Sequence, residues 1–170
     1  MSYLTPERLP VGYSVTRARA ETNYSKESLA IFNRIPSQKA ALIWLAFKFG
    51  FRDDSVSIIT EGLGAKPFHR RVVLLVDEST TGAGERIAAF AQERKLAPVV
   101  GARTAGRLIC CSVYKVGHGY FVRIPARAWY TWSGDLLEGK GVVPDYAVAN
   151  GHQDAADVQL DHAVDVARSL

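Results

Sequence analysis

Residues 71–106 read RVVLLVDESTTGAGERIAAFAQERKLAPVVGARTAG, and this stretch decides the fold. Residues 72–76 form a continuous apolar run, the composition of a parallel strand covered on both faces. Residues 77–81 supply turn and capping side chains, and Gly82 and Gly84 let the backbone pass close to a neighbour. Over residues 83–95, Ile87, Ala88, Phe90 and Ala91 recur at helical spacing, opposite Glu85, Arg86, Glu93 and Arg94. A second apolar run then leads into another glycine-bearing turn that closes at Gly106. The pattern predicts strand, tight turn, helix, strand. It sets a helix N-terminus at the carboxyl end of a strand, where unpaired N–H groups and the helix dipole favour an anion or oxyanion. Chemistry is expected there.

The rest of the composition narrows the class. At 170 residues, 48% hydrophobic and 22% charged, residues 1–170 read as one globular domain large enough for a proper core. The net charge of +4 is spread along the chain. No basic cluster is denser than the Arg70-Arg71 pair, which argues against nucleic acid as a partner. No stretch reaches the roughly 18 apolar residues of a membrane span. The opening MSYLTPERLP lacks an apolar secretory core, so a cytoplasmic location is expected. Cys110 and Cys111 are adjacent on a predicted strand and point to opposite faces, so they read as small packed residues. Neither a metal nor a cofactor is expected.

Outside the central unit, the first dozen residues read as extended or looping, and a short helix is predicted over 26–32 with Ser25 as its cap. Tyr13, Arg17 and Arg19 belong either to a solvated face or to the wall of a substrate groove. Residues 37–49 (SQKAALIWLAFKF) predict an apolar helix buried against a sheet or against a second copy in a homo-oligomer. A strand is expected over 56–60 and a turn over 61–64, without a phosphate-binding signature. His69 reads as a surface or hydrogen-bonded histidine. Strands over 107–115 and 120–124 are joined around Gly117-His118-Gly119. The last segment, 157–170, predicts an amphipathic helix with Leu160, Ala163, Val164 and Ala167 on one side.

Several segments carry a resemblance. Thr80-Thr81-Gly82-Ala83-Gly84-Glu85, Gly101-x-x-Thr104-x-Gly106, Tyr130-Thr131-Trp132-Ser133-Gly134 and Gly139-Lys140-Gly141-Val142-Val143-Pro144-Asp145 occur in that order. They resemble the tail-specific (C-terminal processing) serine proteases and their tricorn-type and interphotoreceptor retinoid-binding relatives. The resemblance implies an α/β fold, a crotonase/ClpP-like spiral of strand–turn–helix units around a mixed sheet. It implies a serine-type peptidase domain acting on peptides or protein C-termini. It covers residues 72–170 as the C-terminal part of such a catalytic domain and leaves 1–71 less clearly assigned. The family's Asp-Leu-Arg-Gly-Asn-x-Gly-Gly segment has no counterpart here, as in a C-terminal part or a degenerate copy.

The resemblance also implies roles. Gly82 stands in the nucleophile position, where the family has serine, and a glycine has no side chain to attack with. Ser79, Thr80 and Thr81 are out of register and read as turn and capping residues. Arg107 fills the slot of the processing branch's basic lysine, but arginine stays protonated and cannot serve as a base. Glu138 matches the glutamate of the tricorn-type set, or else is a surface carboxylate near Lys140. The Gly82 and Ala83 amides would form the oxyanion hole, since backbone donors outlast the loss of the serine. Thr81, Thr104, Gly106 and Tyr130 are candidate substrate contacts, and Glu85 reads as a first-turn residue that favours the helix dipole. Two functions follow: a peptidase domain impaired at Gly82, or a non-catalytic module holding a peptide or an apolar ligand. In the second, Trp129, Tyr130 and Trp132 would line the site unless they pack in the core. A third reading is a structural remnant that acts only through assembly.

Overall fold

The computed structural model describes residues 1–33, 38–40, 43, 55–64, 68, 70–108, 110–149 and 157–170. The fold is mixed α/β. Among the described residues, one sheet runs β2 (Ala30–Phe32), β3 (Val56–Ile59), β1 (Pro10–Thr16), β7 (Tyr120–Thr131), β6 (Cys110–Gly117). A second, parallel sheet runs β4 (Leu74–Val76), β5 (Val99–Gly101), β8 (Tyr146–Ala147). The elbow helix, Ala83–Glu93, touches both sheets. Its Ala88 and Phe90 join Val11 and Trp129 of the first sheet and Val76 and Val99 of the second in one apolar cluster. Phe90 is 1% exposed, so this face of the helix is sealed within that cluster.

The strand at the head of the central unit is shorter than its apolar run. Only Leu74–Val76 is paired, because its partner β5 begins after Pro98, which has no N–H for the ladder. Leu75 is 44% exposed, so the expectation of cover on both faces fails at β4. It holds at β5 instead. Val99 faces the elbow helix cluster, Val100 packs under Ala163 and Val166 of the last helix, and both are fully buried.

Two further expectations are corrected. Of the extended and looping alternatives for the first dozen residues, Pro10 onward takes the extended one: β1 pairs with β3 on one side and β7 on the other. Gly12 is required there because a Cβ would lie 2.4 Å from the Tyr130 carbonyl and 2.7 Å from the Trp129 ring. Tyr13 is consequently buried, stacked on Tyr130 at 5.3 Å, rather than solvated. Residues 26–32 are a single 3-10 turn, Lys26–Ser28, followed by β2, with Leu29 buried between them.

The last helix, Val158–Ser169, is capped by Asp157, whose carboxylate accepts the Leu160 N–H at 3.0 Å. Its buried positions are Gln159, Ala163 and Val166, whereas Leu160 is 48% exposed. The helix is turned toward Gln159 because that side chain donates to the Val148 carbonyl at 2.9 Å, which settles a polar group in the contact. The β6–β7 hairpin turns through Gly117, His118 and Gly119, all at positive φ, and its distal Val116, Tyr120 and Phe121 stay exposed. Cys110 and Cys111 are free and half-buried. Of the predicted helix over 37–49 only residues 38–40 and 43 are described, 39, 40 and 43 of them helical, and His69 lies outside the described residues. No helix among the described residues is long and apolar enough to cross a membrane.

Candidate active site

β4 delivers the chain into a turn knotted around Asp77. Its carboxylate accepts the Thr80 hydroxyl at 2.9 Å, the Ser79 hydroxyl at 3.0 Å and the Ser79 N–H at 3.1 Å. Thr80 Oγ1 in turn accepts the Asp77 N–H at 3.1 Å. The hydrogen bonds from Thr80, then Ser79, hold the Asp77 carboxyl below the ordinary carboxylate range. Two of the three hydroxyls near the turn are thereby committed to the turn itself.

Gly82 follows at φ 56° and ψ −111°, outside the helical region, and the helix starts at Ala83. A strand-to-helix turn of this kind presents its central residue at the tip. A side chain added at Gly82 meets no atom within 4 Å. The position is strained for any residue with a Cβ, yet sterically open, which is the geometry of an elbow that displays its side chain to a ligand.

The elbow is held by Glu85, three residues on and wholly buried. Its Oε2 accepts the N–H groups of Gly82 at 3.0 Å and Arg107 at 3.1 Å. Its Oε1 accepts the Thr104 hydroxyl at 2.7 Å and the Gly106 N–H at 2.6 Å. Four donors on one carboxylate satisfy a charge that burial would otherwise make costly. Glu85 is therefore the clasp between the elbow and the 104–107 turn, beyond any effect on the helix dipole. Sequence reasoning missed this. The available signal was its place three residues after Gly82, the last position of a capping box.

The 104–107 turn carries the next layer. Thr104 Oγ1 also accepts the Val142 N–H at 2.7 Å, and Gly106 C=O accepts the Gly139 N–H at 2.8 Å. Gly106 and Gly141 approach so closely that a Cβ on Gly106 would sit 2.8 Å from the Gly141 nitrogen. The two glycine motifs are thus one packed unit. The peptide joining Arg107 to Leu108 then connects the elbow to Glu138. Its C=O accepts the Gly82 N–H at 3.1 Å, and its N–H donates to Glu138 Oε2 at 2.6 Å.

The structure brings Gly82, Ala83, Arg107 and Glu138 around this turn, with differences in role. The Gly82 N–H is taken by Glu85 and Arg107, so it is not a free oxyanion donor. The Ala83 N–H, first of the helix and exposed, has no intrahelical acceptor and is the donor that remains. Thr104 and Gly106 are buried, and the Thr104 hydroxyl is already shared by Glu85 and Val142, so both position the site from beneath. Thr81 is exposed beside Gly82. Arg107 points outward while its backbone bonds to the elbow. Tyr130 and Glu138 line a cavity of about 340 Å³ together with Leu108 and Trp129. Trp129 is core and Trp132 sits under Lys26 Nζ at 4.7 Å. Among the described residues no histidine or lysine forms a hydrogen-bonded pair with a hydroxyl at the elbow.

Residues 5–148 match the family model described as Peptidase family S41, a span that begins well before the motifs legible from Val72 onward. The chain is 34% identical over 104 residues to tricorn protease homolog 2 of Streptomyces coelicolor, covering 58% of this chain and 9% of that protein. It is 23% identical over 99 residues to the carboxy-terminal-processing protease of Bartonella bacilliformis, covering 58% of this chain and 23% of that protein. A solved peptidase structure from Parabacteroides merdae superposes with a TM-score of 0.64 at 17% identity, over 98% of this chain and 45% of that one, a likeness in fold. The chain spans less than half of each.

Proposed function

The chain belongs to peptidase family S41, and from that membership we propose that it is a serine-peptidase domain disarmed at its nucleophile, holding a peptide or protein segment without cleaving it. The observation that carries this reading is Gly82. It occupies the tip of the elbow, in the open, with no oxygen to form an acyl-enzyme. Ser79 and Thr80 are bound to Asp77, which leaves Thr81, one residue out of register, as the nearest uncommitted hydroxyl. Arg107 cannot take a proton from any of them.

The binding half of the site does not depend on the missing serine. The Ala83 N–H at the helix start is a donor for a peptide carbonyl, reinforced by the helix dipole. Glu138 keeps the position of a tricorn-type acid, tied to the same turn through Leu108. The strand–turn–helix succession of β4, elbow helix and β5 suits the crotonase/ClpP-like spiral, with residues 72–170 as the C-terminal part of a catalytic domain and 1–71 its less clearly assigned remainder. A second reading, an apolar ligand in place of a peptide, draws on the apolar walls beside Ala83, where Val11, Ile58 and Ile87 meet Trp129.

The test is binding and turnover on one sample. Fluorescein-labelled peptides are titrated by anisotropy, then incubated overnight and weighed by mass spectrometry. Saturable binding with intact peptide is expected. Cleavage overturns the disarmed reading, and absence of binding overturns the peptide reading.

A further inference from the structure

One turn along the elbow helix from Ala83 stands Arg86, which forms no ion pair with any described carboxylate. Its terminal nitrogen donates to Cys110 Sγ at 3.1 Å, its guanidinium carbon lies 4.4 Å from the centre of the Trp129 ring, and its Nε is buried without an acceptor. A guanidinium placed this way is a donor fork without its usual carboxylate or phosphate. The cavity beside it has a volume of about 560 Å³, with Ala83 and Arg86 on one wall and Val11, Ile58, Ile87 and Trp129 around them. Such walls strengthen any charge pair formed inside them. Glu61, also on the lining, lies at the Ser2 end, where its N–H donates to Ser2 Oγ at 3.1 Å.

We propose that this cavity is a specificity pocket for an acidic side chain of the bound peptide, with Arg86 as its anchor. The proposal rests on the peptide-binding reading above. A peptide carbonyl on the Ala83 N–H leaves its own side chain about one helical turn, roughly 5.4 Å, from Arg86. A glutamate side chain spans that gap, laying its methylenes along the apolar wall and its carboxylate on the guanidinium. Glutamine keeps the shape and loses the charge. Lysine brings like charge into an apolar cavity, which is unfavourable.

Four fluorescein-labelled nonapeptides, GAVAXAVAG, test this by anisotropy. Three are C-terminally amidated with X as Glu, Gln or Lys, and the fourth is the Gln peptide with a free C-terminal carboxylate. The Glu peptide is expected to bind about tenfold more tightly than the amidated Gln peptide. That advantage should vanish in Arg86→Gln and pass to the Lys peptide in Arg86→Glu, with circular dichroism confirming the fold. Because Arg86 sits over Trp129, Arg86→Lys is the second variant if Arg86→Gln does not fold, and it should keep a reduced preference for Glu. Equal binding of the Glu and Gln peptides overturns the pocket and leaves the peptide reading standing. Preference for the free carboxylate reassigns Arg86 to the chain terminus and overturns the side-chain proposal. No binding by any peptide overturns both readings together.

Discussion

Glu85 accepts the Thr104 hydroxyl at 2.7 Å, and both side chains are buried where the elbow meets the 104–107 turn. Nineteen positions of sequence are closed by that bond, and the same carboxylate holds the N–H groups of Gly82, Gly106 and Arg107. The shape of the elbow thus depends on a residue that faces no ligand.

Glu85→Ala strips three donors of their acceptor, the Thr104 hydroxyl and the Gly106 and Arg107 N–H groups, while the Gly82 N–H keeps the Arg107 carbonyl. Unsatisfied buried donors cost about 1–3 kcal/mol each, with partial relief as the turn relaxes, so a loss of about 3 kcal/mol or more is expected. At roughly 2–4 °C per kcal/mol for a chain of this size, Tm should fall by about 10 °C in a thermal melt. A fall under about 2 °C would remove Glu85 from its place as the clasp.

The glycines of the packed turns should not be equivalent. Gly106 and Gly141 have φ of 66° and 67°, and a Cβ on Gly141 would lie 2.2 Å from the Thr104 carbonyl. Gly139 has φ 73° but open space around it. Gly139→Ala should therefore cost only the backbone strain, on the order of 1 kcal/mol, while Gly106→Ala and Gly141→Ala cost clearly more. Urea midpoints of the three variants give the order.

How much of this was legible in the sequence follows the range of the interactions. The strand, turn and helix of the central unit are local, and the spacing of Ile87, Ala88, Phe90 and Ala91 gave the helix within two residues of its end at Glu93. The clasp was not local. Glu85 looks like any first-turn acid until Thr104 and Gly106 arrive from 19 and 21 residues away. The same holds for β1, where Pro10 and Gly12 left extended and looping readings open because their reason, the Trp129 ring and Tyr130 carbonyl of β7, lies far along the chain. The last helix shows the limit of periodicity: it located the helix, but a polar bond from Gln159 chose the face.

The Asp77 knot predicts a pH dependence. The hydroxyls of Thr80 and Ser79 depress the folded carboxyl relative to the unfolded one, near about 3.9. Its contribution to stability is therefore full above that value and is lost as pH falls through the lower folded pKa. Asp77→Ala should be less stable than the unaltered chain at pH 7, and the gap should narrow in acid, as pH falls below the unfolded value of about 3.9. Denaturant curves at pH 7 and in acid check this, and a gap that widens in acid would contradict it.

Gly82→Cys should expose a thiol at the elbow tip, since nothing stands within 4 Å of the added Cβ. The positive φ costs about 1–3 kcal/mol of stability without a clash. Iodoacetamide should modify the new thiol well before Cys110 and Cys111, which are half-buried. Peptide mapping of the first alkylated site reads the order directly.

The claim on which the account turns is that the nucleophile position is empty, and intact mass after incubation with a fluorophosphonate probe tests it most directly. The unaltered chain is predicted to keep its mass under conditions that fully label an active serine peptidase run alongside. An adduct on the unaltered chain, mapped to Ser79, Thr80 or Thr81, would contradict the account and make that hydroxyl the nucleophile.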